Sequence, residues 1–135
     1  MIDINTLTIG SHVLFNGERV KIEGISKIGF VYGVKTTNDE TWYHPDEFSP
    51  IPITEKLLTE LGFEKNTDNI IKVPIYTKTI ENDFRIEVKK FHGYDEWQFY
   101  VDDCDHDSMG DLALHYLHEA EAFVNITTKL RLIEK

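Results

Sequence analysis

From Ser11 the chain runs His-Val-Leu-Phe into Asn16-Gly17, and Arg19-Val20-Lys21-Ile22-Glu23 then alternates polar and apolar residues. Asn-Gly tolerates the positive φ angles of a tight turn, so the two runs predict a hairpin of half-buried strands. A third strand is expected over Phe30 to Lys35. A fourth is expected over Thr41 to His44, after the polar turn Thr37-Asn38-Asp39-Glu40. Pro45 has no N–H to give a ladder and closes that strand. Ser49-Pro50-Ile51-Pro52-Ile53 is stiff and extended, because each proline biases its predecessor away from the helix. Thr54 then reads as an N-cap for a short helix with Leu57, Leu58 and Leu61 on one face, stopped by Gly62.

Further along, Ile71, Val73 and Ile75 alternate, but Pro74 marks an edge strand or a bulge. Phe84-Arg85-Ile86-Glu87-Val88-Lys89 and Trp97-Gln98-Phe99-Tyr100-Val101 alternate cleanly, with hairpin-length connections around Glu81-Asn82-Asp83 and Gly93-Tyr94-Asp95. These runs predict a three-stranded antiparallel meander. A helix from about Leu112 to Val124 would cover it, with Ala113, Tyr116, Leu117, Ala120, Phe123 and Val124 on one face. His115, His118, Glu119 and Ala122 would lie on the other, solvated face. Leu130-Arg131-Leu132 would add a last strand.

The fold class expected is therefore α+β. Residues 1–50 form an SH3-like small β-barrel, since several short strands with tight turns and no helix suit such a barrel and closure removes exposed edges. Residues 51–135 hold a short helix, then an antiparallel β-meander packed on a C-terminal helix, in one compact unit with the barrel.

Composition narrows the classes of function. With 41% hydrophobic and 28% charged residues, the chain can build a core without a long disordered tail. Twenty-four Asp and Glu against fourteen Lys and Arg leave a net charge of −10, and no Lys/Arg cluster appears. Affinity for nucleic acid comes largely from neutralising phosphates, so no direct nucleic-acid partner and no anionic membrane is expected. An acidic chain could instead bind a basic partner or imitate DNA. Cys104 is the only cysteine, which excludes an internal disulfide. The first residues lack the basic and apolar regions of a signal peptide, and no run approaches the roughly 18 apolar residues of a membrane span, so the cytoplasm is the expected compartment.

Candidate chemistry concentrates in Asp102-Asp103-Cys104-Asp105-His106-Asp107, followed by Asp111, His115, His118 and Glu119. Asp103, Asp105, Asp107 and Asp111 match positions one, three, five and nine of a calcium loop. Ser108 replaces its turn glycine, however, and Leu114 its bidentate Glu. His115, His118 and Glu119 sit at helical spacings that could hold a transition metal with His106 and the carboxylates of Asp103 and Asp105. The plainer reading is a solvated polar face above an acidic loop, and no cofactor is expected. Cys104 is a poor nucleophile, because neighbouring carboxylates disfavour its thiolate. No phosphate loop, nucleophile elbow or dinucleotide fingerprint occurs, and Gly29 and Gly33 lie within a strand pattern. His44, Asp46 and Glu47 together suggest an acid–base cluster beside the barrel. Trp42 and Tyr43, adjacent in a strand, point opposite ways, so one is expected outside as a recognition surface.

Three stretches together carry a resemblance. They are Ile9-Gly10-Ser11-His12-Val13 with Asn16-Gly17 and Val20 to Ile25, Asp46 through Leu58 to Gly62-Phe63, and Leu114-His115-Tyr116-Leu117-His118-Glu119-Ala120. In this order they resemble a family of small uncharacterised proteins encoded by phages and prophages of Bacteroidetes. The segment Pro50-Ile51-Pro52-Ile53-Thr54-Glu55 before a short helix ending in Gly62-Phe63 is its most specific part. Where that family ends its last helix in a Thr-Gly-Glu-Leu type turn, this chain has Thr127-Thr128-Lys129-Leu130. The resemblance implies a phage or prophage setting inside a bacterial host cell, places Asp46 and Glu47 as turn residues at the barrel exit and not in a catalytic cluster, and brings no functional residues with it.

The expectation on these grounds is a non-enzymatic protein-binding module acting through Trp42 and Tyr43 on a protein partner. One alternative is a metal-binding protein or metal-dependent hydrolase built on the Asp102–Asp111 loop with His115 and His118. A second is an acidic DNA mimic or accessory protein of nucleic-acid processing.

Overall fold

The computed structural model describes residues 2, 7–67, 72–81, 83–91, 93–103, 108–129, 132 and 133. The fold is α+β and mostly strand, with two antiparallel sheets. The chain divides into a unit of residues 1–52 with 116–122 and a unit of residues 53–115 with 123–135.

In the first unit, β1 (His12–Phe15), β2 (Glu18–Ile28), β3 (Val31–Thr36) and β4 (Phe48–Ser49) form a four-stranded sheet in the order β3-β2-β1-β4. The predicted hairpin is present. Asn16 and Gly17 both take positive φ, at 51° and 81°, and Val13 pairs with Val20 across it. The ladder closes no barrel among the described residues. The expected fourth strand shrinks to one bridge, Val34 to Tyr43, before a 3-10 turn over Pro45–Glu47. Phe48, given no element by the sequence, and Ser49, read as the start of the connector, instead return to pair with Phe15 and Leu14. Burial drives that return: Phe48 is buried with Val13, Ile22, Val34, Leu7 and Ile2, and its ring lies tilted 5.2 Å from that of Phe15.

One buried polar arrangement belongs to this core. The backbone N–H of His12 donates to Glu121 Oε1 at 2.7 Å, and its Nδ1 lies 2.8 Å from Oε2. Both residues are under 10% exposed, so the carboxylate accepts from two donors that water does not reach.

The second unit holds α1 (Glu55–Glu60) and a five-stranded meander of β5 (Glu64–Thr67), β6 (Pro74–Ile80), β7 (Phe84–Lys89), β8 (Trp97–Asp103) and β9 (Ser108–Leu114). Thr54 caps α1 by accepting the Leu57 N–H, and Gly62 at φ 91° ends it. Alternation works as expected in the central strands. Tyr76, Val88 and Phe99 pair in one row across β6, β7 and β8, and all are buried. Pro74 opens β6 at a position where no preceding ladder bond is lost, and β5 lies outside it, so β6 is not an edge. The β5 sequence Glu-Lys-Asn-Thr is wholly exposed and carries no apolar period by which a strand could be read.

The last helix departs from expectation. Residues 112–114 belong to β9, paired in register with β8 at Phe99, Gln98 and Trp97, and helix α2 runs over Leu117–Thr128. The edge of β8 offers a continuous ladder of donors and acceptors, and pairing with it outweighs a helical pattern of moderate strength. The predicted apolar stripe survives in Leu117, Ala120 and Val124. The predicted solvated face does not: His118 is 2% exposed. In the second unit, Phe123 and Thr127 lie over Gly110 of β9, where an added Cβ would come within 3.5 Å of both. The strand expected at Leu130 to Leu132 lies largely outside the described residues.

Replacing Glu121 by Ala strands both His12 donors in the core, at a cost of about 3 kcal/mol. Glu121→Gln keeps one acceptor oxygen and should lose roughly half of that. Urea unfolding measures both, and a Glu121→Ala midpoint within about 0.5 kcal/mol of wild type would contradict the assignment.

Candidate functional site

The β2–β3 hairpin sets the parity of the site. Val34 donates its N–H to the Tyr43 carbonyl and accepts the Tyr43 N–H, each at 2.8 Å. Adjacent residues of an extended strand face opposite ways, so Tyr43 turns to the core side and Trp42 to the outer side. Tyr43 is half-buried, with its ring 4.6 Å from that of Phe15 and 6.3 Å from that of Phe48. Trp42 keeps 51% of its surface exposed.

Two glycines fix how Trp42 lies. A Cβ on Gly24 would stand 3.1 Å from the indole Cη2, and one on Gly33 would stand 3.3 Å from Cε3. The ring therefore rests against bare backbone on β2 and β3 and presents its other face outward. A glycine inside a strand often marks such a close approach. Sequence reasoning passed over Gly24 and weighed Gly33 only against a phosphate loop, although a glycine in each of two alternating runs beside a tryptophan was a usable signal.

The turn before Trp42 is tied down by Asp39, whose carboxylate accepts the Thr41 N–H at 2.9 Å and the Tyr43 hydroxyl at 3.0 Å. The Thr41 bond first and the Tyr43 bond second hold the Asp39 carboxyl below its ordinary value of 3.8. The same contact raises the Tyr43 phenol, with desolvation adding to it. Beyond Tyr43, His44 caps the 3-10 turn. Its Nδ1 accepts the Asp46 N–H at 3.1 Å, and Glu47 accepts the His44 N–H at 3.0 Å. Asp46 and Glu47 are thus turn residues, as the resemblance implied.

Together these elements form a groove of about 410 Å³ lined by Ser26, Val31, Tyr32, Gly33, Trp42, Tyr43 and His44. The hairpin tip beside it leaves Phe30 99% and Val31 63% exposed.

The sequence-derived metal candidates are placed differently. Asp105 and His106, with Cys104 and Asp107, lie outside the described residues. Asp103 is in β8, paired with Phe84. His115 is exposed, 4.0 Å from Glu96. His118 is buried with its ring stacked 6.0 Å from Tyr116, and Glu119 accepts the Tyr116 N–H at 3.0 Å at the start of α2. Burial and capping thus separate the roles of three residues that helical spacing had put on one polar face. Among the described residues, no group of three or more His, Cys, Asp or Glu is placed to hold a metal ion, and no helix is long and apolar enough to cross a membrane.

Comparison with protein-family models, curated proteins and solved structures finds no match.

Two measurements test this geometry. With Trp97 replaced by Phe, the remaining Trp42 emission should be readily quenched by acrylamide, and Gly24→Val should lift the indole, shifting its emission to the red. Unchanged emission in Gly24→Val would contradict the resting face. Because the Asp39 carboxyl is depressed on folding, its contribution is complete above its unfolded value and fades as pH falls through its lower folded value. The Thr41 amide resonance should therefore titrate with a midpoint below 3.8, and a midpoint at or above 3.8 would refute the hydrogen-bonded turn.

Proposed function

We propose that this protein is a binding module, not an enzyme, and that it engages a protein partner through the groove around Trp42 and Tyr43. The observation that carries the reading is the seating of Trp42. An indole resting on two glycines with one face presented to water is an anchor held in a fixed orientation, and rigid aromatic anchors dominate protein interfaces. The neighbouring exposed Phe30 and Val31 extend the apolar surface in the way interaction sites do.

The finer reading of the first sheet as an SH3-like barrel belongs to the same proposal. Its support is the path of the chain: β1, β2 and β3 follow in order, Tyr43 bridges to β3, and β4 comes back to β1 after a 3-10 turn. Aromatic grooves on such small barrels are common docking sites for extended peptides. A phage or prophage setting, in the cytoplasm of a bacterial host, is the context suggested by the resemblance in the Pro50 to Phe63 segment.

A library of displayed random peptides tests the reading. Selected peptides should bind wild type and lose about 2 kcal/mol of affinity to Trp42→Ala, while binding Tyr94→Ala unchanged. Peptides that bind Trp42→Ala as well as wild type would remove the groove as the docking site.

A further inference from the structure

The groove straddles an open sheet edge, and carboxylates flank the Trp42–His44 segment that walls it. Val34 points its main-chain N–H and C=O away from β2, toward Tyr43. With the two-residue period of a strand, Tyr32 points its own groups to the same side. Continuing the Val34–Tyr43 register would put Pro45 opposite Tyr32. Proline has no N–H to give, and it begins the 3-10 turn that carries the chain off the edge. A ladder position is thus left open between the Trp42 wall and the His44 wall, and Tyr32 meets no main-chain partner there among the described residues.

Between Lys35 and Lys56 the sequence has neither Lys nor Arg, whereas Asp39, Glu40, Asp46 and Glu47 flank the Trp42–His44 segment. The two nearby ammonium groups are already engaged. Lys35 lies 3.8 Å from Glu23 and 3.5 Å from Glu40, and Lys27 stands 5.2 Å over the Tyr32 ring. Lys27 thus already holds a cation over one ring of the lining, that of Tyr32, and leaves the Trp42 face open.

Resting on the reading of the groove as a docking site, we infer that its occupant is an extended, cationic segment of a partner protein. This segment adds to the edge of β3 at Tyr32 and lays a Lys or Arg side chain on the open face of Trp42. The strand edge supplies main-chain hydrogen bonds, the indole supplies cation–π attraction, and the surrounding carboxylates supply long-range attraction.

The test uses the full chain and four short synthetic peptides of alternating Ala and Val that differ only at the central residue: Arg, Lys, norleucine or Glu. Binding is followed by the amide resonance of Tyr32 and the indole resonance of Trp42. The Arg and Lys peptides should shift both resonances, and bind roughly fivefold or more tighter than the norleucine peptide. Their affinity should fall as salt rises, and the Glu peptide should not bind. Methylating the central main-chain nitrogen of the Arg peptide should abolish the Tyr32 shift. The exposed-site variant Glu40→Gln, Asp46→Asn, Glu47→Gln should weaken the Arg peptide while leaving the norleucine peptide unchanged. Equal binding of norleucine and Arg peptides, or an unaffected N-methylated peptide, would overturn the inference. Trp42-dependent binding of neutral or acidic peptides would sink the cationic preference alone and leave the docking groove standing. A concentration-dependent dimer that shifts Tyr32 without any peptide would replace the partner with a second copy of the chain.

Discussion

A single antiparallel pair of main-chain hydrogen bonds, between Val34 and Tyr43, governs the site. It turns Tyr43 inward against Phe15 and Phe48, and by the same alternation turns Trp42 outward. A slip of one residue would exchange the two rings, placing an indole in the core and a phenol on the glycines. Asp39 guards against that slip by gripping both Thr41 and Tyr43, and Pro45 ends the pairing two residues later. Orientation, exposure and the open edge at Tyr32 all follow from where this bridge forms and where it stops.

The buried polar groups play a different part. Glu121 enters the first unit from the start of α2, and its carboxylate takes both donors of His12. A carboxylate out of water is tolerated only when its lone pairs are engaged, so this contact ties one helical residue to one strand residue with little freedom for substitution. Its helical neighbours Leu117 and Ala120 add apolar burial, but that alone would admit many side chains. Directional bonds at His12 select the arrangement.

Several elements were readable from residues alone because their local signals agree. Asn16-Gly17 gave the first turn, Thr54 and Gly62 bounded α1, and the alternation in β7 and β8 placed Ile86, Val88, Phe99 and Val101 inside. Trp42 and Tyr43 were readable as an opposed pair for the same reason. Elements that depend on a neighbour were not. β5 has no apolar residue to reveal it, β4 has two residues, and residues 112–114 carry a pattern that fits a helix face as readily as a strand. The polar residues His118 and Glu121 look like surface residues until the strand or helix they meet is known.

Alternation, turn chemistry and charge, properties held within a few consecutive residues, determined the two sheets' central strands, the acidic character and the opposed facing of Trp42 and Tyr43, whereas which of the two faces outward waited on the Val34 bridge. Tertiary structure alone decided that Gly24 and Gly33 form the bed for Trp42, that β9 displaces a helix, and that Glu121 meets His12 across 109 positions of chain. The physical reason is range. Backbone geometry and side-chain period act between near neighbours, whereas the space beneath an indole or the partner of a buried carboxylate exists only once distant segments are packed together.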